Sequence, residues 1–323
     1  MANKSFMYAV YEAVQHEMRQ RKDMCWIFEL TPAVASTPGL PVINLEKEFG
    51  RTRVVNTGID EMWMAGAALG ASLVGTPAIT YIPYQGSQVC FELIQNHAGK
   101  LHHMSGGDAN MPAVFIIELS GQSPGFAGQH SDYECDSYYG HIPGVKVVIP
   151  SRPYDAKGMM ASAIQSPDPV VFLYAAGLRQ LSEEVPDNQY TVPLDKASVR
   201  TTGNDLTIVS SGAGMPAVLE ASEQLQKAGM KVEAIDLRSI KPMDTETLVK
   251  SVQKTKRLLT FDQSYYTLCP GAEIIARVAE NVDGARYKRI AFPDAPPPAS
   301  PEMFNWMRPN AGHIVGAARK LVS

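Results

Sequence analysis

Glu61 is a carboxylic acid one step inside a predicted helix that is rich in alanine, glycine and other apolar residues, DEMWMAGAALGASLVG at residues 60–75. A carboxylate is costly to desolvate in such surroundings. An acid in the first turn also meets the positive end of the helix dipole, which explains the position without any chemistry. The alternative is that the acid lies in a dry cleft because its proton takes part in general acid–base catalysis.

His130 is a further candidate, because it follows an apolar strand. The segment MPAVFIIEL is an almost uninterrupted apolar strand, and His130 lies in the Gly-rich loop after it. The segment DMCWIFEL predicts a short buried strand that ends in Glu29. Open α/β sheets bind their ligands at the carboxyl ends of parallel strands, which is where His130 is expected. A lone loop histidine is more often simply solvated, so His130 needs further support.

Two other motifs are typical of different enzymes. IVSSGAGMPA at residues 208–217, with Asp236 closing the next strand, has the ingredients of a dinucleotide-binding fingerprint. The alternative is a tight strand-to-helix turn. GQSPG at residues 121–125 matches the nucleophile elbow of serine hydrolases. An elbow leads directly into a helix, whereas Pro124 continues a loop here, and this disfavours a hydrolase.

Composition limits the class of protein. The chain has 323 residues, which favours two domains, and its net charge of −4 argues against a nucleic-acid-binding surface. Its four cysteines are far apart and form no Cys-x-x-Cys, as expected of reduced intracellular thiols. No apolar stretch is long enough to span a bilayer, and no secretion signal is evident. We therefore expect a cytoplasmic enzyme with no membrane and no nucleic-acid partner.

Apolar strands alternate with helices in two blocks, which predicts parallel sheets covered on both faces. The predicted fold is two three-layer α/β/α domains, residues 1–180 and 204–323. Residues 181–203 are polar, contain two prolines and are expected to connect the domains. An amphipathic helix is predicted near residues 7–18, and a single helix over residues 87–106.

The order of motifs along the chain resembles the beta subunits of thiamine-diphosphate-dependent 2-oxo acid dehydrogenases. These subunits act on pyruvate, branched-chain 2-oxo acids or acetoin and are relatives of transketolase. The resemblance covers nearly the whole chain, and its most specific segment is HIPGVKVVIPSRPYDAKG. The segments that carry it are TGIDE, QHS, HIPGVKVVIPSRPYDAKG, PDPVVFL, IDLRSIKPMD and GAEI. It implies a pyrimidine-binding domain followed by a transketolase-type C-terminal domain.

The resemblance assigns roles to individual residues. Glu61 falls on the family's cofactor-activating acid, which exchanges a proton with the aminopyrimidine ring and so helps to generate the nucleophilic carbon of the thiazolium. Glu29 matches a second glutamate of the family, and His130 matches its substrate-side histidine. The family's ring-stacking aromatic is replaced by Pro83 here, so the neighbouring Tyr84 is the candidate to stack on the pyrimidine.

The resemblance also implies a partner. The family holds Mg²⁺ and the cofactor's diphosphate with a Gly-Asp-Gly motif on the alpha subunit, and this sequence contains no Gly-Asp-Gly. We expect an α2β2 heterotetramer that shares thiamine diphosphate and Mg²⁺ between unlike chains. No metal ligand is predicted on this chain. The expected reaction is decarboxylation of pyruvate or a similar 2-oxo acid, with transfer of the acyl group to a lipoyl acyltransferase core or another acceptor.

Three alternatives stay open. A split transketolase-type carbon–carbon lyase or ligase would use the same cofactor without lipoamide. An NAD-dependent oxidoreductase would use the GAGMPA turn. A catalytically inert scaffold would assemble without chemistry. Departures from the family, such as Tyr174 where it has a glutamate, leave the substrate undecided between 2-oxo acids and ketones.

Overall fold

The computed structural model describes residues 1–29, 33–119 and 136–322, and describes Tyr84 and Gln85 by their backbone alone. The strands are, in chain order, β1 (Ala2–Ser5), β2 (Cys25–Phe28), β3 (Val34–Ala35), β4 (Ile43–Asn44), β5 (Val54–Asn56), β6 (Ala78–Pro83), β7 (Ala113–Leu119), β8 (Lys146–Val148), β9 (Val170–Ala175), β10 (Ser182–Val185), β11 (Ser198–Val199), β12 (Leu206–Ser210), β13 (Val232–Asp236), β14 (Ser239–Lys241), β15 (Arg257–Tyr265) and β16 (Arg286–Phe292). The helices are α1 (Phe6–Gln20), α2 (Leu45–Phe49), α3 (Glu61–Leu73), α4 (Tyr84–Val89), α5 (Leu101–Met104), α6 (Asp136–Gly140), α7 (Pro153–Ile164), α8 (Met215–Lys227), α9 (Thr245–Thr255), α10 (Pro270–Ala279), α11 (Pro301–Met307) and α12 (Ala311–Val322).

The described residues form two compact units, one of residues 1–119 and 138–194 and the other of residues 136–137 and 195–322. In the first unit the parallel strands follow the order β8-β9-β7-β6-β2-β5. Helices α1 and α7 pack against each other, and α3 packs on β6. Since β6, β7 and β9 are buried along most of their length, their sequences are apolar rather than alternating.

The second unit has a smaller sheet of order β11-β13-β12-β15-β16. Its strands pair in parallel except β11, which runs antiparallel to β13. Helices α8 and α12 pack together over a core that includes Phe261, Ile314 and Leu225. The predicted fold class, two α/β domains, is confirmed.

Two buried lysines fasten the N-terminus of the first unit. Strand β1 pairs with β10, which lies inside the polar segment expected to connect the domains. The ammonium of Lys4 contacts Glu12 at 2.7 Å and Asp187 at 2.9 Å, and that of Lys157 contacts Glu12 at 2.7 Å. Both lysines are at most 1% exposed. Removing one partner of such a buried pair costs about 3–5 kcal/mol, so Glu12 is a principal link between α1, α7 and the chain after β10.

No helix in the described parts of the chain combines the length and the apolar character needed to cross a membrane.

Candidate active site

The candidate site lies where β2 ends and α3 begins. β2 is a short apolar strand paired on one side with β5 and on the other with β6, so its carboxyl end is fixed between two neighbours. Glu29 directly follows the strand and is 1% exposed. Glu61 is the first residue of α3 and is partly exposed. This is the edge at which parallel α/β sheets bind ligands.

Asp60 joins the two glutamates. Its backbone N–H donates to Oε2 of Glu29 at 3.0 Å, and its own Oδ1 accepts from the backbone N–H of Trp63 at 2.9 Å. Asp60 is therefore the N-cap of α3, a contribution of about 1 kcal/mol to that helix. The cap fixes the first turn of α3 against the end of β2, and this places Glu61 beside Glu29.

Glu29 and Glu61 form a carboxyl pair. Burial raises the pKa of Glu29, and the adjacent Glu61 carboxyl raises it further; the hydrogen bond from the Asp60 N–H lowers it. The second oxygen, Oε1 of Glu29, accepts no hydrogen bond from any described donor. Burial beside a second carboxyl group disfavours the charged form of Glu29. The surroundings of Glu29 therefore favour its protonated form more than solvent would, beside the partly exposed Glu61.

Gly86 sets the space available to Glu61. A methyl group at this position of α4 would overlap the Glu61 side chain, including its carboxyl group. The backbone of α4 thus lies directly against the carboxyl of Glu61. No sequence pattern indicates this contact, because the glycine is separated from Glu61 by a whole strand.

The surface around Glu61 is apolar. Ile59, Met62 and Trp63 are 69%, 47% and 51% exposed, an unusual arrangement for three large apolar side chains within five residues. Exposed apolar clusters of this kind mark contact surfaces for another protein. We call these three residues the Trp63 patch.

Of the residues predicted from the sequence, the structure brings Glu29 and Glu61 together. Tyr84 begins α4, after the end of β6, but its side chain lies outside what the structure describes. His130 and the GQSPG segment also lie outside the described residues. Their roles stay predictions.

A second polar cluster occupies the sheet face that α1 covers. The hydroxyl of Tyr81 donates to Glu118 of β7, and burial followed by the Glu118 charge raises the Tyr81 pKa. Burial also raises the pKa of Tyr174 far above its ordinary value, with Glu118 adding to the shift. The Tyr174 hydroxyl and the indole N–H of Trp26 are buried without a described hydrogen-bond partner. Glu118 is the single acid in the apolar run VFIIEL, and this was the one sequence feature that could have indicated the cluster.

The dinucleotide motif is packed as a turn. Residues Gly212–Gly214 form a buried 3₁₀ turn before α8, and a side chain at Gly214 would overlap the Ser210 hydroxyl. Asp236, which would bind a ribose in a dinucleotide site, is 0% exposed and contacts Arg200 at 3.5 Å and the backbone N–H of Arg238 at 3.2 Å. The Asp236 carboxylate is buried and already paired within the protein, which favours the interpretation of this motif as a structural turn.

Within the described ranges, no group of three or more His, Cys, Asp or Glu side chains is arranged to hold a metal ion.

Comparisons with known proteins agree on one family. Residues 3–179 match the family described as the transketolase pyrimidine binding domain, and residues 195–314 match the transketolase C-terminal domain. The chain is 36% identical over 326 residues to the pyruvate dehydrogenase E1 component subunit beta of Rhizobium meliloti (strain 1021), covering 99% of this chain and 70% of the relative. It is 37% identical over 335 residues to the acetoin:2,6-dichlorophenolindophenol oxidoreductase subunit beta of Cupriavidus necator, covering 99% and 98%.

Among solved structures, the fold is similar to one titled "Split gene transketolase, inactive beta4 tetramer". The TM-score is 0.81 at 19% sequence identity, with 98% of each chain covered. At this identity the likeness concerns the fold alone.

Proposed function

Because this chain belongs to the transketolase-like family that includes the E1 beta subunits of 2-oxo acid dehydrogenases, we propose that it is such a beta subunit and that Glu61 is its cofactor-activating acid. The resemblance inferred from the sequence is thereby confirmed at the level of the family. The observation that carries the assignment of Glu61 is the carboxyl pair that it forms with buried Glu29 at the carboxyl end of β2.

The residues present fit thiamine diphosphate. When bound, this cofactor supplies a nucleophilic carbon that attacks the carbonyl of a 2-oxo acid and accepts the electron pair left when CO₂ departs. Its aminopyrimidine nitrogen needs a carboxyl group that can give and take a proton, and Glu61 is a partly exposed carboxyl at the start of a helix. Oε1 of Glu29 accepts no described hydrogen bond, and a proton held between the two glutamates would satisfy it.

Each residue of the pair has a distinct task in this proposal. Glu29 accepts a hydrogen bond from the Asp60 N–H, and because burial raises its pKa it is the member of the pair proposed to carry the proton. That proton lets Glu29 donate to Glu61, which fixes the Glu61 carboxyl and leaves its other oxygen directed to the cofactor. His130 is proposed to act on the substrate side and Tyr84 to stack on the pyrimidine ring, as the resemblance implies.

The proposed assembly is a heterotetramer of two alpha and two beta chains. The missing Gly-Asp-Gly motif supports an alpha subunit that holds Mg²⁺ and the diphosphate. The substrate is proposed to be pyruvate or a similar 2-oxo acid, or a related ketone, since the relatives carry both kinds of name. The acyl acceptor is proposed to be lipoamide on an acyltransferase core. A screen of 2-oxo acids and ketones, with an artificial electron acceptor and then with lipoamide, tests the substrate and the acceptor separately.

Replacing Glu61 with Gln tests the catalytic assignment. Glu61→Gln keeps the shape but removes the transferable proton, so turnover of the chain paired with its alpha subunit should fall by about 100-fold or more. Assembly and thiamine diphosphate binding, followed by gel filtration and calorimetry, should persist. Glu223→Gln, at an exposed glutamate of α8, is the matched control and should retain full turnover. Undiminished turnover in Glu61→Gln would refute the assignment.

A further inference from the structure

We propose that the groove between β16 and α12 in the second unit binds an organic phosphate, meaning phosphate groups carried by an apolar or aromatic body. The groove has a volume of about 720 Å³, within the usual range for small-molecule sites. It is lined by residues of β16, by residues from the start to the end of α12, and by Tyr266. None of these residues belongs to the carboxyl pair, so the inference is independent of the proposed function.

The rim of the groove is cationic. Lys288, Arg289 and Lys320 line it together with His313, and no aspartate or glutamate is among its lining residues. The chain as a whole carries a net charge of −4, so this concentration of positive charge runs against the overall balance. Several cationic side chains along one concave surface favour a ligand with more than one negative charge.

Arg289 is held in place before any ligand arrives. Its Nη1 donates to the carbonyl oxygen of Tyr266 at 3.0 Å, and its guanidinium lies 4.1 Å from the centre of the Tyr266 ring. Asp294 is the acid that bears on Arg289, because its carboxylate lies close enough to feel the guanidinium charge. That carboxylate accepts hydrogen bonds from the backbone N–H and the hydroxyl of Thr267, at 3.0 and 2.6 Å. An arginine fixed by stacking loses little conformational freedom when it binds a phosphate, which favours affinity.

The floor of the groove leaves room for the body of the ligand. Ile290, Ala291 and Ala317 supply apolar surface, and Gly316 presents no side chain. A methyl group at Gly316 would meet no atom within 4 Å. The first turn of α12 is already capped, since Asn310 accepts from the backbone N–H of Gly312 at 3.0 Å. Recognition of phosphate therefore falls to the side chains of the rim.

Calorimetric titration of the full-length chain with three probes tests the proposal. ATP carries both phosphates and an aromatic body, pyrophosphate has only the phosphates, and adenosine has only the body. ATP should bind more tightly than either fragment, and its affinity should fall as salt rises. Lys288→Ala and Lys320→Ala should each weaken ATP binding by roughly tenfold. Arg319→Ala removes the same charge from the neighbouring position of α12, which does not line the groove, and should leave the affinity unchanged.

A variant that fills the groove with a larger side chain distinguishes binding in the groove from attraction to surface charge in general. Gly316→Leu should abolish ATP binding while the melting temperature stays equal or rises, because glycine is a poor helix former. Failure of the wild-type chain to bind ATP would overturn the proposal, and so would equal losses in Arg319→Ala and Lys320→Ala. Retained affinity in Gly316→Leu would place ATP elsewhere and would also overturn it.

Discussion

The carboxyl of Glu29 has one described hydrogen-bond donor, the Asp60 N–H, and an acidic neighbour, Glu61. An exposed glutamate would ionise without cost in neutral solution. Here ionisation leaves a desolvated charge beside a second carboxyl, so the neutral form is favoured. The position therefore favours the protonated form of Glu29, whereas Glu61, the first residue of α3, is partly exposed.

Glu29→Gln is expected to change the pH dependence of stability. Because the folded-state pKa of Glu29 is raised, its stabilising neutral form is present in acid and is lost as pH rises through that pKa. The amide of Gln does not titrate, so the variant should equal wild type in acid and melt at a higher temperature near neutral pH. Thermal unfolding of the isolated chain between pH 4 and 8 measures this. A constant difference across the range would contradict the assigned proton.

Asp136 is a second buried acid whose pKa is raised, and its shift is larger. Burial, followed by the charge of Asp262, raises the pKa of Asp136 to about 8, and burial also raises the pKa of Asp262. The neutral form of Asp136 stabilises the fold, and this contribution is lost as pH rises from the ordinary aspartate value through about 8. Asp136→Asn should therefore be close to wild type near the ordinary aspartate pKa of 3.8, gain stability over it progressively up to about pH 8, and keep a constant advantage above that pH.

The matched control for this variant is Asp283→Asn, at an exposed aspartate of the same unit. Its melting temperature should follow that of wild type at every pH. If the melting temperatures of Asp136→Asn and wild type differ by the same amount at every pH, the Asp136–Asp262 pair does not hold a proton in the folded state.

At the scale of elements, the contact between α4 and α3 decides where Glu61 points. Gly86→Ala is expected to push the Glu61 side chain aside, because the new methyl group overlaps it. The side chain is flexible, so the fold should persist while turnover falls by about tenfold or more, since misplaced catalytic groups lose most of their effect. Gly58→Ala, close in sequence but with open space around the new methyl, should keep full turnover. Equal turnover in both variants would show that α4 does not position Glu61.

The elements that position the carboxyl pair could be predicted from local pattern. The apolar strand before Glu29 and the capped, alanine-rich helix at Glu61 are local signals, and the structure has β2 and α3 there. The predicted single helix over residues 87–106 was wrong: the structure has α4, a π-helical turn at Leu93–Ala98 and α5. Within this stretch Gly99 packs closely against the turn at Pro143, a contact distant in sequence, where a methyl group would lie 2.7 Å from the carbonyl oxygen.

Other elements left weaker signals. β1 and β10 are short, and β10 is polar, so their pairing depends on the buried lysine network rather than on apolar pattern. Helix α12 has a regular buried face, formed by Ile314, Ala318 and Leu321, that the sequence analysis did not predict. The Gly86 contact and the groove on α12 both depend on which segments meet in space. Side-chain type alone cannot supply that information.

At the scale of the whole molecule, the Trp63 patch argues that the candidate site is completed by another chain. The three apolar residues flank Glu61 in sequence and are about half or more exposed. Burying a large apolar side chain in an interface stabilises it by about 1.5–3 kcal/mol, and a buried tryptophan is a common centre of binding energy. An alpha subunit that covers this patch would also remove water from around Glu61. Assembly and catalysis would then depend on the same surface.

Trp63→Glu tests that dependence. A charge at the centre of an apolar interface should prevent the chain from co-purifying with its alpha subunit, and turnover should be lost with assembly. The isolated variant should fold normally, because Trp63 is half exposed in this chain and removing it empties no core. Trp63→Phe keeps the apolar surface and should assemble. If Trp63→Glu forms the full complex, the alpha subunit binds elsewhere, and the dry surroundings proposed for the Glu61 proton would have to come from this chain alone.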